Sequence, residues 1–470
     1  MNQVKDLEGL ADRLTLKKKS IWESTDQGER KKIFDFAEDY KEFLDKSKTE
    51  RETVDYLVES AKKSGFVNLD ELWDDGDLPQ GAKFYKSYHG KAAILGVMGK
   101  EDLSRGFRLV GSHVDVPRLD LKPRPLYEKS HLALLKTHYY GGIKKYQWAA
   151  IPLALHGVVF LKDGERVEII IGEQDRDPVF TVTDLLPHLA KEQNERKLRE
   201  GIKGEELNIL VGNTPMEGEG FKEKIKLWIL NHLNEAYGMI EEDFVSAEIE
   251  IVPAIKARDV GFDRSMVGGY GQDDRICVYA SLKAVEGLEL PERTAMAAFF
   301  DKEEIGSTGN TGMQSRLLDD VVSTLKDLSG IETPQSRIYS KSEALSADVA
   351  AGMDPTWEDV MDPLNAPHLG FGVCLIKYTG ARGKVETNDA HAEFISKVRS
   401  LLNENNIIWQ WGELGKVDEG GGGTIAQFLA GLNINTVDCG MPLLSMHSPF
   451  EISSKGDLFM GYRAYRAFLQ

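Results

Sequence analysis

In the first hundred residues, apolar positions recur at helical spacing before the pattern changes. Ile33, Phe34, Ala37, Tyr40 and Leu44 share one face of a 3.6-residue repeat. Thr49 and Glu52 have capping-box spacing ahead of Val54, Leu57, Val58 and Ala61. Both stretches predict scaffold helices. The segments KAAILGVMGK and GFRLVGSHVD then read as strands that run into glycine or polar turns.

From about Leu121 to Pro253 the texture differs. Prolines, a Tyr-Gly-Gly turn at Tyr140 to Gly142 and the short strands HGVVFL and RVEIIIG precede KEQNERKLREGIKGEE, whose charge predicts a solvated loop. Beyond it, strand-like runs such as TAMAAFF and INTVDCG alternate with helical stretches at Arg275 to Leu288 and Ala390 to Leu402. That alternation predicts an α/β fold with a mostly parallel central sheet flanked by helices. The expected organisation is residues 1–121 and 254–470 as one domain, interrupted by a smaller β-rich domain at 122–253. In such folds ligands sit beyond the carboxyl ends of the strands, so the site is sought where apolar runs stop.

Composition narrows the setting. A chain of 470 residues buries a large core and has room for two to four domains, at roughly 150 residues each. Lys and Arg total 58 against 76 Asp and Glu, and the net charge of −18 disfavours a nucleic-acid partner. No run approaches the ~20 apolar residues of a membrane helix, and MNQVKDLEGLADRLTLKKKS lacks the apolar core of a signal peptide. A cytoplasmic protein is expected. Cys277, Cys374 and Cys439 are far apart and form no CxxC pair, which argues against a zinc ribbon or a disulfide scaffold.

Five strand ends carry potential ligands: His113 with Asp115, Asp273 with Asp274, Glu303 with Glu304, Asp348, and His447. Singly, each has an ordinary alternative as a packed histidine, a helix cap or solvated charge. Together they form a nitrogen and oxygen donor set suited to zinc, manganese or cobalt. They suffice for two ions sharing a bridging carboxylate. Glu303 and Glu304 pose a further question, because neighbours on an extended chain point opposite ways. They share one site only if the backbone bends.

The ordered motifs GSHVDVPRLDLKP, GQDDRICVYASL, FFDKEEIGSTGNTGMQS, SADVAAGMDP and MPLLSMHSPFEISSKGDL resemble those of the M18 metalloaminopeptidases, a group that includes aspartyl aminopeptidase. The resemblance extends over nearly the whole chain and is looser in the middle segment. It implies that Asp273 bridges two divalent ions, zinc first and manganese or cobalt as alternatives. His113 and Asp348 would complete one ion, and Glu304 and His447 the other. Glu303 would be the general base for a metal-bridging water that hydrolyses the N-terminal peptide bond of substrates with a free amine. Asp115 would orient the His113 imidazole, with Asp274 and Asp301 serving similarly.

The resemblance also places Lys377 near the substrate and Gly422, Gly423 and Thr424 beside the active site. Ala351 and Asp354 stand where aspartyl aminopeptidases have histidines, which weakens the expected preference for acidic substrates, while Lys377 keeps that reading open. The middle segment would be a dimerisation domain, with dimers building a tetrahedral dodecamer. A family histidine that enters the neighbouring active site has His138 and His156 as candidates. Asp438 and Cys439 are read as structural. Rival readings are a related metal-dependent carboxypeptidase or deacylase, and a non-catalytic assembly protein that retains the fold.

Overall fold

A computed structural model describes residues 7–75 and 78–470. The amphipathic stretches become helices: Ile33 to Leu44 lies within Gln27–Lys46, and Glu50–Lys63 opens on the capping box of Thr49 and Glu52. Further on, Gln272–Glu286 and Ala392–Glu404 correspond to the expected helices, and Lys455–Leu469 ends the chain.

Nine strands form the central sheet of a mixed α/β fold. Its middle is parallel: Ala295–Phe300, Arg108–His113, Glu343–Ser346 and Asn435–Gly440 lie side by side in that order. Antiparallel pairings flank this block, between Ala295–Phe300 and Ala92–Val97 and between Asn435–Gly440 and Val373–Ile376. The apolar run AMAAFF has no polar face because both faces are covered. Ala295, Ala297 and Phe299 pack toward one core with helices 27–46, 272–286 and 455–469, whereas Met296, Ala298 and Phe300 pack toward another with helix 317–328.

A separate seven-stranded antiparallel sheet takes its strands from Arg118 to Pro253 and has its own core around Trp148, Leu153, Ile209 and Ile251. Its first strand begins at Arg118, so the change of texture near Leu121 falls inside a strand. The charged stretch 191–206 is largely exposed and holds the helix Lys191–Asn194 and two single turns. Among the described residues, no helix is long and apolar enough to cross a membrane.

Candidate active site

The four central parallel strands deliver their carboxyl ends to one place. His113 ends Arg108–His113, Glu303 and Glu304 follow Ala295–Phe300, and Asp348 follows Glu343–Ser346. Gly440, at the end of Asn435–Gly440, permits the approach of Asp348: a Cβ there would lie 1.7 Å from the Asp348 carbonyl oxygen. Asp273 enters at the start of helix 272–286, where it and Asp274 have non-helical backbone angles. His447 lies on the turn between the short strands Pro442–Leu444 and Glu451–Ser454.

Asp273 stands between the two histidines. Its Oδ1 is 3.2 Å from His113 Nε2 and its Oδ2 is 3.0 Å from His447 Nε2. Glu304 Oε1 lies 3.5 Å from His447 Nε2, and Asp348 Oδ1 lies 3.9 Å from His113 Nε2. The other ring nitrogens are committed: His113 Nδ1 donates to the Asp115 carbonyl at 3.0 Å and His447 Nδ1 to the Gly142 carbonyl at 2.9 Å. Each donation leaves Nε2 as the available ligand atom. Ligand atoms of His113, Asp273 and Glu304, and those of His113, Asp274 and Asp348, lie within 4.8 Å of one another.

Two buried carboxylates hold the backbone under these side chains. Lys302 adopts a left-handed conformation (φ 67°), and Glu303–Ile305 form a single 3-10 turn, which supplies the bend that two adjacent glutamates require. Asp115 clasps this turn, Oδ1 accepting from the Glu303 amide at 3.0 Å and Oδ2 from the Glu304 amide at 3.1 Å. The expected part for the Asp115 carboxylate is thereby divided. Its backbone carbonyl orients His113, while the carboxylate, 3.5 Å from Nδ1, fixes the glutamates. Glu451 makes the matching clasp with Oε2 on the Asp273 amide at 3.1 Å and Oε1 on the His447 amide at 2.7 Å. Asp274 Oδ2 accepts from the His113 amide at 3.2 Å, and Asp301 accepts from the Thr311 hydroxyl at 2.6 Å.

A family profile described as "Aminopeptidase I zinc metalloprotease (M18)" matches residues 43–469. The chain belongs to the M18 peptidase family. It is 49% identical over 454 residues to a probable M18 family aminopeptidase 1 of Clostridium acetobutylicum, covering 96% of this chain and 98% of that one. A Thermotoga maritima protein of the same description is 49% identical over 460 residues, covering 97% and 100%. The crystal structure of an M18 aminopeptidase from Thermotoga maritima superimposes with a TM-score of 0.93 over 97% of this chain and 100% of that one. A yeast mApe1 dodecamer, 21% identical with a TM-score of 0.75 over 92% and 96%, shares the fold. The protein is a metalloaminopeptidase.

The donor set fits the metal that an M18 enzyme requires. Asp273 Oδ1, Asp274 Oδ1 and Glu304 Oε1 are buried without a hydrogen-bond partner, a costly state for a carboxylate oxygen unless a cation meets it. Burial pushes Glu303 up to about 7, with Asp115 and Asp273 adding to the rise and His113 opposing it. Burial likewise raises Glu304 and Asp348, aided by neighbouring carboxylates. Burial pulls His447 down, but Asp273 and Glu304 outweigh it and raise the imidazole to about 11. Divalent cations reverse both trends, stabilising carboxylates and neutral imidazoles.

The cluster opens into a cleft of about 220 Å³. Gly422, Gly423 and Thr424 line it with Ala351, Ile376, Thr379, Glu413, Leu414 and Met446. Thr424 is also anchored, its hydroxyl donating to buried Asp438 at 2.7 Å. Lys377 is not among the lining residues: Ile376 faces the cleft, and Lys377 is exposed. Asp354 is absent from the lining too, accepting instead from the Thr356 amide at 2.8 Å. Sequence reasoning missed Glu451 and Glu413. Glu451 lies within the last recognised motif, four residues after His447, and that proximity was the available signal.

Proposed function

We propose that the enzyme uses two divalent ions, zinc first and manganese or cobalt as alternatives, to remove the N-terminal residue of peptides, with Glu303 as general base. The carrying observation is Asp273, one oxygen directed to each histidine at 3.2 and 3.0 Å. His113 and Asp348 would hold one ion, His447 and Glu304 the other, and Asp273 both. When bound, the ions supply Lewis acidity and lower the pKa of water toward ~7.

Glu303 takes the proton at its carboxylate and returns it to the leaving amine. Its Oε2 is 4.0 Å from His113 Nε2, within the ligand cluster, and the Asp115 clasp fixes its backbone. Gly422 and Gly423 leave the opposite wall open to a peptide backbone, and Thr424 borders it. The cleft wall has Glu413 and no Lys or Arg among its described residues, which favours basic or neutral N-terminal residues over acidic ones.

The β-rich segment 122–253 is the proposed dimerisation domain, with dimers assembling into a tetrahedral dodecamer in the cytoplasm. Support comes from its exposed apolar residues, including Leu185, Leu186, Leu189 and Leu198. His156 is buried against Glu52 and Glu173, whereas His138 is exposed and remains the candidate for reaching a neighbouring subunit. Light scattering on the purified protein tests the assembly.

Zinc titration of the chelated protein tests the centre. Two equivalents per wild-type chain and one for Glu304→Ala are expected. A single equivalent in wild type would reject the bridged pair.

A further inference from the structure

The Tyr140 to Gly142 turn closes one end of the strand Leu132–Tyr140, in the sheet that lies outside the catalytic core, yet it reaches Asp115, Glu304 and His447. The Tyr140 hydroxyl donates to Asp115 Oδ2 at 2.8 Å, the same oxygen that accepts from the Glu304 amide. Gly141, with φ +72°, lies so close to Glu304 that an added Cβ would meet its Cβ and Oε2 at 3.3 Å. The Gly142 carbonyl accepts from His447 Nδ1.

The turn is itself held from behind. The Arg118 guanidinium lies 3.9 Å from the centre of the Tyr140 ring. Arg118 is buried among Asp120 at 2.8 Å, Glu250 at 3.2 Å and Glu50 at 3.4 Å. Glu250 belongs to strand 247–253 of the same sheet as Arg118, and Glu50 to helix 50–63, which packs on the central sheet, so the guanidinium ties the second sheet to that helix before the phenol reaches Asp115.

We propose that Tyr140 is a positioning residue for the catalytic centre: through Asp115, and with Gly141 and Gly142, it fixes Glu303, Glu304 and His447 from the second sheet. The proposal rests on the metal-centre reading above. Partners that hold ligands from behind are worth about 10- to 100-fold in metal affinity or activity, and a hydroxyl that donates into an already shared carboxylate has that leverage. A turn serving only as a connection needs neither the phenol nor the close approach of Gly141.

The test compares Tyr140→Phe, which keeps the ring over Arg118, with Gly141→Ala and with Tyr88→Phe. Tyr88 is a matched control, because its hydroxyl donates to the Asp320 carboxylate at 2.8 Å, outside the ligand cluster. Zinc retention is measured against a chromogenic chelator, and kcat and KM on a free-amine aminoacyl anilide. Tyr140→Phe and Gly141→Ala are expected to lose about 10- to 100-fold in zinc affinity or kcat, with KM within about twofold and Tyr88→Phe unchanged. Wild-type zinc affinity and kcat in Tyr140→Phe would overturn the proposal, as would equal losses in Tyr88→Phe. Failure of the underlying reading is recognised separately: Asp273→Ala would then retain zinc as wild type does, and the positioning proposal would fall with it.

Discussion

The carboxylate of Glu451 accepts the backbone amide of Asp273 at 3.1 Å, while its other oxygen takes the amide of His447 at 2.7 Å. One buried side chain therefore sets the spacing between the central carboxylate and a histidine on a different element. Glu451→Gln turns one acceptor into a donor that faces a backbone N–H. The expected cost is about 1–3 kcal/mol of stability, read from urea midpoints, together with a fall in kcat of about 10-fold or more. A variant with wild-type kcat would show that the clasp does not govern the centre.

The neighbours Glu303 and Glu304 are expected to fail in different ways. Glu303→Gln keeps its place on the 3-10 turn, its backbone N–H still donating to Asp115 Oδ1, but cannot take a proton. Turnover should fall by about 100- to 10,000-fold while the bound metal remains. Glu304→Ala removes an oxygen 3.5 Å from His447 Nε2 and should lose metal first. Elemental analysis beside kcat separates the two cases. Near-normal turnover in Glu303→Gln would move the base elsewhere.

A pH dependence is expected outside the catalytic cleft. His156 Nδ1 donates to Glu52 at 2.6 Å and Nε2 to Glu173 at 3.1 Å. Burial pulls the imidazole down, but the two carboxylates outweigh it and raise its pKa above 6.5. Burial pushes Glu173 up, but His156 and Lys48 hold it below 4.5. The histidine contribution is complete below 6.5 and is lost as pH rises through the raised folded value. The Glu173 contribution is present above 4.5 and is lost as pH falls through the depressed one. Urea unfolding across neutrality should show His156→Gln less stable by about 1–3 kcal/mol below pH 6.5, with the gap closing as pH rises. A gap independent of pH would rule out the charged pairing.

Periodicity made the helices around Ile33 and Val54 legible, and the ends of apolar runs pointed to His113, Glu303 and Asp348, which the structure brings together with Asp273 and His447. What stayed hidden depends on contacts between distant segments. Glu451 reads as an ordinary strand glutamate until its two backbone partners meet in space. Tyr140 reads only as the start of a turn until its hydroxyl is found on Asp115. Lys377 is exposed next to Ile376, which lines the cleft, and the order of residues along the strand does not tell which of the two a substrate meets. Antiparallel pairings break the parallel run of the central sheet at Ala92–Val97 and between Val373–Ile376 and Asn435–Gly440, and alternating apolar runs carry no information on direction.

Glu413 should set substrate preference. Its carboxylate stands in the cleft wall beside Leu414 and the glycines, and the Tyr378 hydroxyl donates to Oε1. An acidic N-terminal side chain entering there meets a like charge and no described Lys or Arg lining residue, while a lysyl or arginyl side chain finds a counter-charge. On a panel of aminoacyl anilides, acidic substrates should be cleaved least efficiently, and Glu413→Gln should reduce kcat/KM for basic substrates by about 10-fold, near 1.4 kcal/mol. Leucyl and methionyl substrates should change little, because they meet Leu414, Ile376 and Met446. Proportional losses across every substrate would assign Glu413 to the frame of the cleft, and efficient cleavage of the aspartyl anilide would exclude charge at this wall as the selector.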